Sequence, residues 1–250
     1  MRDTTAVPSV LQTAWGLRER PSKGPRPTLT TERIVEAAVR IAAAEGFGAV
    51  SMNRVAGELS TSAMALYRHV ANKEELTVLM LESVAGHPPE PIADGETWRA
   101  ALERWAFALF AMYREHRWFL QAPIPGPPAT PRQLAWVEVG LTALTGTRLG
   151  EGEKLSVILL LSGFVRNEAS IEGQMVEAAR AGERTLDAVM AEYGTLLRHL
   201  VQPDRFPALR RVIDAGVMDV ADHPDTEFVF GLTRVLDGID LMVRYRADQG

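Results

Sequence analysis

The chain has 250 residues, 46% of them hydrophobic, with a net charge of −5 and no cysteine. That is enough apolar material for one small and one larger domain, and the lack of Cys excludes a disulfide framework or a Cys-rich zinc site. No apolar signal core opens the chain, and the longest apolar stretch, 155–165 between Lys154 and Arg166, is about half a membrane span, so a cytoplasmic protein is expected.

Residues 1–28 read as a flexible basic arm. The first fourteen are mixed, uncapped and expected to be disordered. Residues 15–26 then carry Arg18, Arg20, Lys23 and Arg26 against one acid, spaced by Gly and Pro. Such a stretch cannot build a helix. It either follows DNA as an N-terminal arm or is a solvated tail.

A helix capped by Thr30 or Thr31 follows, with Ile34, Val35, Ala38, Ile41 and Ala42 as its apolar stripe. Gly46 ends it as a left-handed C-cap, and Phe47 and Val50 fold back as anchors. Ser51 caps a short helix in which Val55, Ala56 and Leu59 share one face. Ser60-Thr61-Ser62 breaks the pattern with hydroxyls that compete for backbone hydrogen bonds. A second short helix over 63–70 points Leu66 and Val70 inward and leaves Ala63, Met64, Ala65, Tyr67 and Arg68 outward. Asn72 caps a support helix over 73–85, with Glu74 and Glu75 in its first turn. The segment 29–86 is therefore a helix-turn-helix head, its motif at about 51–70. Spacing alone leaves DNA binding and ordinary bundle helices both open.

The motifs Ala-Glu-Gly-Phe at 44–47, Val55-Ala56-Gly57-Glu58-Leu59, Leu66-Tyr67-Arg68-His69-Val70 and Asn72-Lys73-Glu74-Glu75-Leu76 together resemble the DNA-binding head of the tetracycline-repressor (TetR) family. The likeness runs through the head without a gap. It departs at Ser60, where the family most often has Gly; a positive φ there would cost on the order of 1 kcal/mol. The resemblance implies that the second short helix enters the major groove. Ala63, Met64 and Ala65 would offer apolar contacts to bases, with Asn53 and Arg68 as polar readers. Tyr67, His69 and Lys73, with the hydroxyls of Ser51, Thr61 and Ser62, fit phosphate positioning. His69 is equally well read as a structural histidine of the head.

Charge supports a DNA-facing head. Residues 1–80 hold 10 Lys and Arg against 8 Asp and Glu, whereas 81–250 hold 17 against 24. Residues 87–96, with three prolines and Gly95, read as a hinge loop. The remainder, 97–250, shows helical periodicity throughout, so the chain is expected to be all-α, the head being followed by a larger helical effector-binding and dimerisation domain. Thr97 caps a helix with the stripe Trp98, Leu102, Trp105, Leu109 and Met112, closed by His116. A Pro-rich loop at 123–128 precedes a helix from Pro131 to about 145, with Leu134, Val137, Leu141 and Leu144 inward. A long helix covers about 153–181; 182–226 is punctuated by Gly and Pro. A terminal helix opens at Thr226, with Phe228, Val229, Leu232, Val235, Leu236, Ile239 and Val243 as its apolar positions.

The helices at 154–165 and 228–243 are too apolar for one wet face, which leaves burial or a partner subunit. Gly95-Glu96, Trp98, His116 and Phe230-Gly231-Leu232 make the body similar to the ligand-binding domain of the family's tetracycline repressor. This likeness implies a homodimer on a palindromic operator, released by a small-molecule effector that is expected to be largely apolar; the short apolar stretches imply no membrane partner. Trp105, Leu109, Met112, Tyr113, Trp118, Phe119 and Trp136 are pocket candidates, with His87, His116, Asn167 and Glu168 as polar selectors. An aromatic stripe at this spacing is more commonly plain core.

No metal or cofactor is expected. The family's metal-binding histidine would fall near Pro123, no His lies between His116 and His199, and Glu172 alone does not make a magnesium site. No Gly-rich phosphate loop, nucleophile elbow or His-Glu-x-x-His motif occurs, so no enzyme is expected. The alternative to a ligand-responsive repressor is a helical adaptor or architectural bundle without a specific operator.

Overall fold

The structure, a computed structural model, describes residues 7–17, 29–124, 126–219 and 225–248. Residues 18–28, the basic part of the expected arm, lie outside the described residues. All regular structure among the described residues is helical: α1 Ser9–Ala14, α2 Thr31–Glu45, α3 Met52–Glu58, α4 Ala63–Leu66, α5 Lys73–Val84, α6 Trp98–Glu115, α7 Trp118–Gln121, α8 Pro131–Ala143, α9 Glu151–Ala181, α10 Leu186–Leu200, α11 Pro207–Asp214 and α12 Thr226–Asp248.

The head is assembled by its caps. The side-chain oxygens of Thr30, Ser51, Ser62 and Asn72 accept the backbone N–H groups of Arg33, Arg54, Ala65 and Glu75, starting α2, α3, α4 and α5 in turn. At α5 a second bond reinforces the cap: the buried Glu75 carboxylate accepts the N–H of Ala71, the residue before the cap, at 2.9 Å. Gly46 departs from the expected left-handed cap. Its φ of 84° is positive but its ψ of 162° is extended, which redirects the chain into a single 3-10 turn at Phe47–Ala49. Ser60 does take a positive φ, 51°. The recognition element is shorter than its periodicity suggests: α-helix stops at Leu66, and the Tyr67-Arg68-His69 turn carries the chain to Val70.

Two segments cross the boundary drawn between head and body. Ile34, Ile41, Val55, Leu66, Val70, Leu76 and Met80 close the head's core, but Trp118 and Ala122 of the α7 region are buried in the same cluster. The second is α1, which forms where disorder is expected. Val10 and Ala14 lean on the head's core, and the Trp15 indole N–H donates to the Ala129 carbonyl at 2.9 Å. The N-terminus is thereby tied to the loop before α8.

The body's core surrounds α6, which presents Leu102, Trp105, Leu109 and Phe110 to α8, α9 and α12. Phe110 stacks on Phe228 of α12, with ring centroids 4.0 Å apart. Of the expected inward positions of α8, Leu144 is buried, Leu141 packs on the body's core, and Leu134 and Val137 line the cavity described below. The buried face also takes in residues not expected there. Trp136, Gly140 and Ala143 are buried, whereas Leu134 is 38% exposed. Gly140 lets α8 lie close to α9, because a Cβ there would meet the Ile158 side chain at 2.8 Å. On α12, Phe228, Leu232, Leu236 and Ile239 are buried, but Val229 is exposed. The loop read as a hinge is anchored: Arg104 donates to the Glu90 and Pro91 carbonyls and pairs with Glu96 at 2.8 Å. No helix among the described residues is long and apolar enough to cross a membrane.

Candidate nucleic-acid interface and ligand cavity

The α3–α4 face presents most of the side chains expected to meet DNA. Met64 is 74% exposed at the tip, Asn53, Tyr67 and Arg68 are exposed beside it, and Ala63 and Ala65 are half-buried. Ser51 and Ser62 spend their lone pairs on the caps but keep their hydroxyl protons for an external acceptor. Thr61 and His69 are half-buried at the edges of the motif. Lys73 has a protein partner already, its ammonium lying 5.2 Å from the centre of the Phe47 ring. Arg54 is occupied differently, held by Glu45 at 2.6 Å and Glu58 at 3.1 Å, so it braces α3 against α2.

Below the head, α5, α6, α8 and α9 enclose a cavity of about 630 Å³, within the range of small-molecule sites. Six of the seven expected wall residues line it: Trp105, Leu109, Met112 and Tyr113 from α6, Phe119 from α7, and Trp136 from α8. Trp118 points instead into the head's core. The aromatic stripe is thus both core and cavity wall, since Trp105 and Trp136 are also buried and meet edge to face with centroids 5.9 Å apart.

The four polar selectors do not line the cavity. His87 is exposed on the loop after α5, and His116 is the C-cap of α6, beyond the pocket-facing turn. On α9 the cavity stripe is Leu155, Leu159, Ser162 and Arg166, at helical spacings of four, three and four. Asn167 and Glu168 are roughly 100° and 200° round the helix from Arg166 and miss it. Glu172, one turn further, pairs with Arg114 at 2.7 Å.

The polar groups that do reach the cavity are Gln133, Ser162, Arg166 and Tyr113. An Arg166 N–H donates to the Leu120 carbonyl at 3.3 Å, and the guanidinium lies close enough to the Tyr113 phenol to favour its ionised form. Burial pushes the Tyr113 phenol above its ordinary value, a rise that Arg166 partly offsets. Both Pro-rich-loop residues Pro123 and Ile124 and the α5 residues Leu81 and Ala85 complete the wall. The sequence signal for Arg166 was present: a cation one helical turn beyond Ser162 on the apolar stripe.

Two features join cavity to head. The Trp136 indole N–H donates to the carbonyl of Ala85, the C-cap of α5, at 2.8 Å, while the Trp136 carbonyl accepts the Trp105 indole N–H at 2.9 Å. Nearby, the Arg132 side chain donates to the Glu82 carbonyl and its backbone N–H to the Glu82 carboxylate. The last turn of α5 is thus held by the residues that shape the cavity.

Comparison with known proteins gives consistent matches. Residues 34–78 match the family model described as bacterial regulatory proteins, tetR family, and residues 90–243 match the tetracyclin repressor-like C-terminal domain. The HTH-type transcriptional repressor DrrR1 of Streptomyces coeruleorubidus is 37% identical over 242 residues, 96% of this chain and 88% of that protein. An HTH-type transcriptional regulator of Saccharopolyspora erythraea is 30% identical over 66% of this chain and 71% of its own length. Among solved structures, Streptomyces coelicolor ActR in complex with actinorhodin superposes with a TM-score of 0.73 at 28% identity, covering 88% of this chain and 98% of that one. ActR in complex with (S)-DNPA gives 0.69 at 26% identity, covering 85% and 97%.

Proposed function

The chain belongs to the TetR family of ligand-responsive, DNA-binding transcriptional regulators, and we propose that it acts as a homodimeric repressor released by a small molecule in the α5–α6–α8–α9 cavity. The observation that carries this is the shared wall. Leu81 and Ala85 of α5 face the cavity, and Trp136 both lines it and holds the end of α5. At its other end α5 begins directly after the recognition turn, through the Asn72–Glu75 cap. A ligand that displaces Trp136 therefore tilts α5 and, with it, α4. Release requires only that the ligand bind the tilted state better than the DNA-competent one.

On DNA, Asn53 and Arg68 supply polar contacts to bases, with Ala63, Met64 and Ala65 against thymine methyls. Tyr67, Lys73, His69 and the hydroxyls of Ser51, Thr61 and Ser62 take phosphates. Residues 18–28, with Arg18, Arg20, Lys23 and Arg26, act beside them as a basic arm. The exposed apolar surface supports the dimer. Leu160 of α9 and Phe230 and Leu241 of α12 are each more than half exposed. Between those helices runs a groove lined by Val157, Leu160, Val235, Ile239 and Met242, where Gly152 and Gly238 leave open space for a facing helix. Two-fold pairing there would set two heads on a symmetric operator.

The same reading makes the protein a cytoplasmic regulator with no catalytic role. ActR is solved with actinorhodin, and a ligand of small organic character suits the cavity here. A gel shift with the DNA upstream of the gene tests the proposal. A specific, salt-sensitive band is expected from a species that sediments as a dimer at micromolar concentration; a monomer without a specific band contradicts it.

A further inference from the structure

The reading of the cavity as the effector site leaves open what its chemistry selects, and Arg166 decides this. Among the described residues it is the single charged side chain of the wall. The Leu120 carbonyl that it bonds and the Tyr113 phenol close by are both neutral, and none of the ion pairs among the described residues includes it. Arginine stays protonated in a protein, so its charge cannot be relieved by losing a proton. Arg166 is half-buried, and a cation against an apolar wall is unfavourable to the extent that it gives up water without gaining an anion or several acceptors. These neutral neighbours leave part of its five-donor fork unused.

The other polar groups are neutral and partly engaged. Both indole N–H groups are spent on backbone carbonyls, so Trp105 and Trp136 offer the cavity carbon surface. Ser162 donates to the Ile158 carbonyl at 2.7 Å, and the Gln133 side-chain oxygen accepts the Ala129 N–H at 3.2 Å. The edge-to-face tryptophan pair presents flat apolar surface, and Leu155 and Leu159 line α9 N-terminal to Arg166. We propose that the effector is an acidic aromatic molecule, whose ring system lies against Trp105 and Trp136 and whose ionised acid group is held by the Arg166 guanidinium. Neutral and cationic analogues of the same shape are discriminated against, because they leave that charge uncompensated. This rests on the effector-site reading and adds the charge of the ligand to it.

Matched pairs of aromatic carboxylates and carboxamides, built on naphthalene, anthracene and anthraquinone, test the proposal in the full-length protein at pH 7.5. Binding is followed by tryptophan quenching and calorimetry. The carboxylate of a pair is expected to bind about tenfold or more tightly than its amide, the range of a charge-assisted bidentate contact. In Arg166→Gln that preference should vanish while the amide's affinity stays the same; a purely structural Arg166 would weaken both alike. Arg166→Lys should retain part of the preference. Amides binding as well as carboxylates overturns the proposal and leaves the cavity as a ligand site. Binding by no member of any pair also overturns it. The repressor reading is judged separately, by the operator band of the probe-free protein, and fails only if that band is absent.

Discussion

The head and the cavity are built on opposite plans. In the head each helix is started by a neighbour three residues away: Thr30 to Arg33, Ser51 to Arg54, Ser62 to Ala65, Asn72 to Glu75. The cavity is closed by contacts between residues far apart in the chain, Trp136 with Ala85, Arg132 with Glu82, and Arg166 with Leu120. Local bonds start each helix of the head, although Trp118 and Ala122 of the body complete its core. Remote ones make the cavity a place where the elements move relative to each other. The head specifies, and the cavity decides where the head stands.

The strongest way to break that division is at Trp118, a body residue buried to 3% in the head's core. Trp118→Ala is expected to destabilise the protein by about 3–5 kcal/mol in denaturant unfolding. If the head closed on itself alone, the loss would be far smaller and operator binding would survive. Trp136→Phe is milder. It keeps an aromatic ring in the wall but drops the bond to the Ala85 carbonyl, for an expected loss of about 1 kcal/mol. Operator binding should persist while the response to cavity ligands weakens.

How much of this could be read from the sequence follows from the same contrast. The caps, the inward Leu66 and Val70 and the positive φ of Ser60 are local, and the motif at 51–76 carried them. The aromatic half of the cavity was legible too, because Trp105, Leu109 and Met112 recur at helical spacing. His87, His116, Asn167 and Glu168 were chosen for polarity, without knowledge of which face of each element the packing would select. Gly140 lets α8 lie close to Ile158 of α9, and the phase of α9 admits Arg166 and excludes its two neighbours. The helix at Ser9–Ala14 was missed because what holds it lies elsewhere: the head's core and the Ala129 carbonyl.

Smaller effects sharpen the account within each region. Ser60→Gly relieves a left-handed backbone and should stabilise the head by up to about 1 kcal/mol, less the entropy that glycine adds to the unfolded chain. No gain in melting temperature would mean the turn carries no strain. Lys73→Ala should reduce the slope of log affinity against log salt by about 1 if its ammonium leaves Phe47 for a phosphate. An unchanged slope would assign Lys73 to Phe47 alone.

Acid should loosen the Arg104 staple. Hydrogen bonding from Arg104, and then from the Ala93 N–H, holds the Glu96 carboxyl below its ordinary value of 4.5. Its contribution is complete above that value and is lost as pH falls through the lowered one. Glu96→Gln should therefore show a shallower loss of stability below about pH 4.5 than the parent. Equal slopes would mean the 87–96 loop contributes nothing to the coupling of head and body.

The central claim is that cavity and operator share one element, α5. Fluorescence anisotropy of labelled upstream DNA, titrated with and without the tightest-binding aromatic acid, tests it most directly. Linkage requires the acid to weaken operator binding and the operator to weaken acid binding by the same factor. That factor should shrink toward one in Trp136→Phe. An acid that occupies the cavity, as read by tryptophan quenching, yet leaves operator affinity unchanged in the parent would contradict the account.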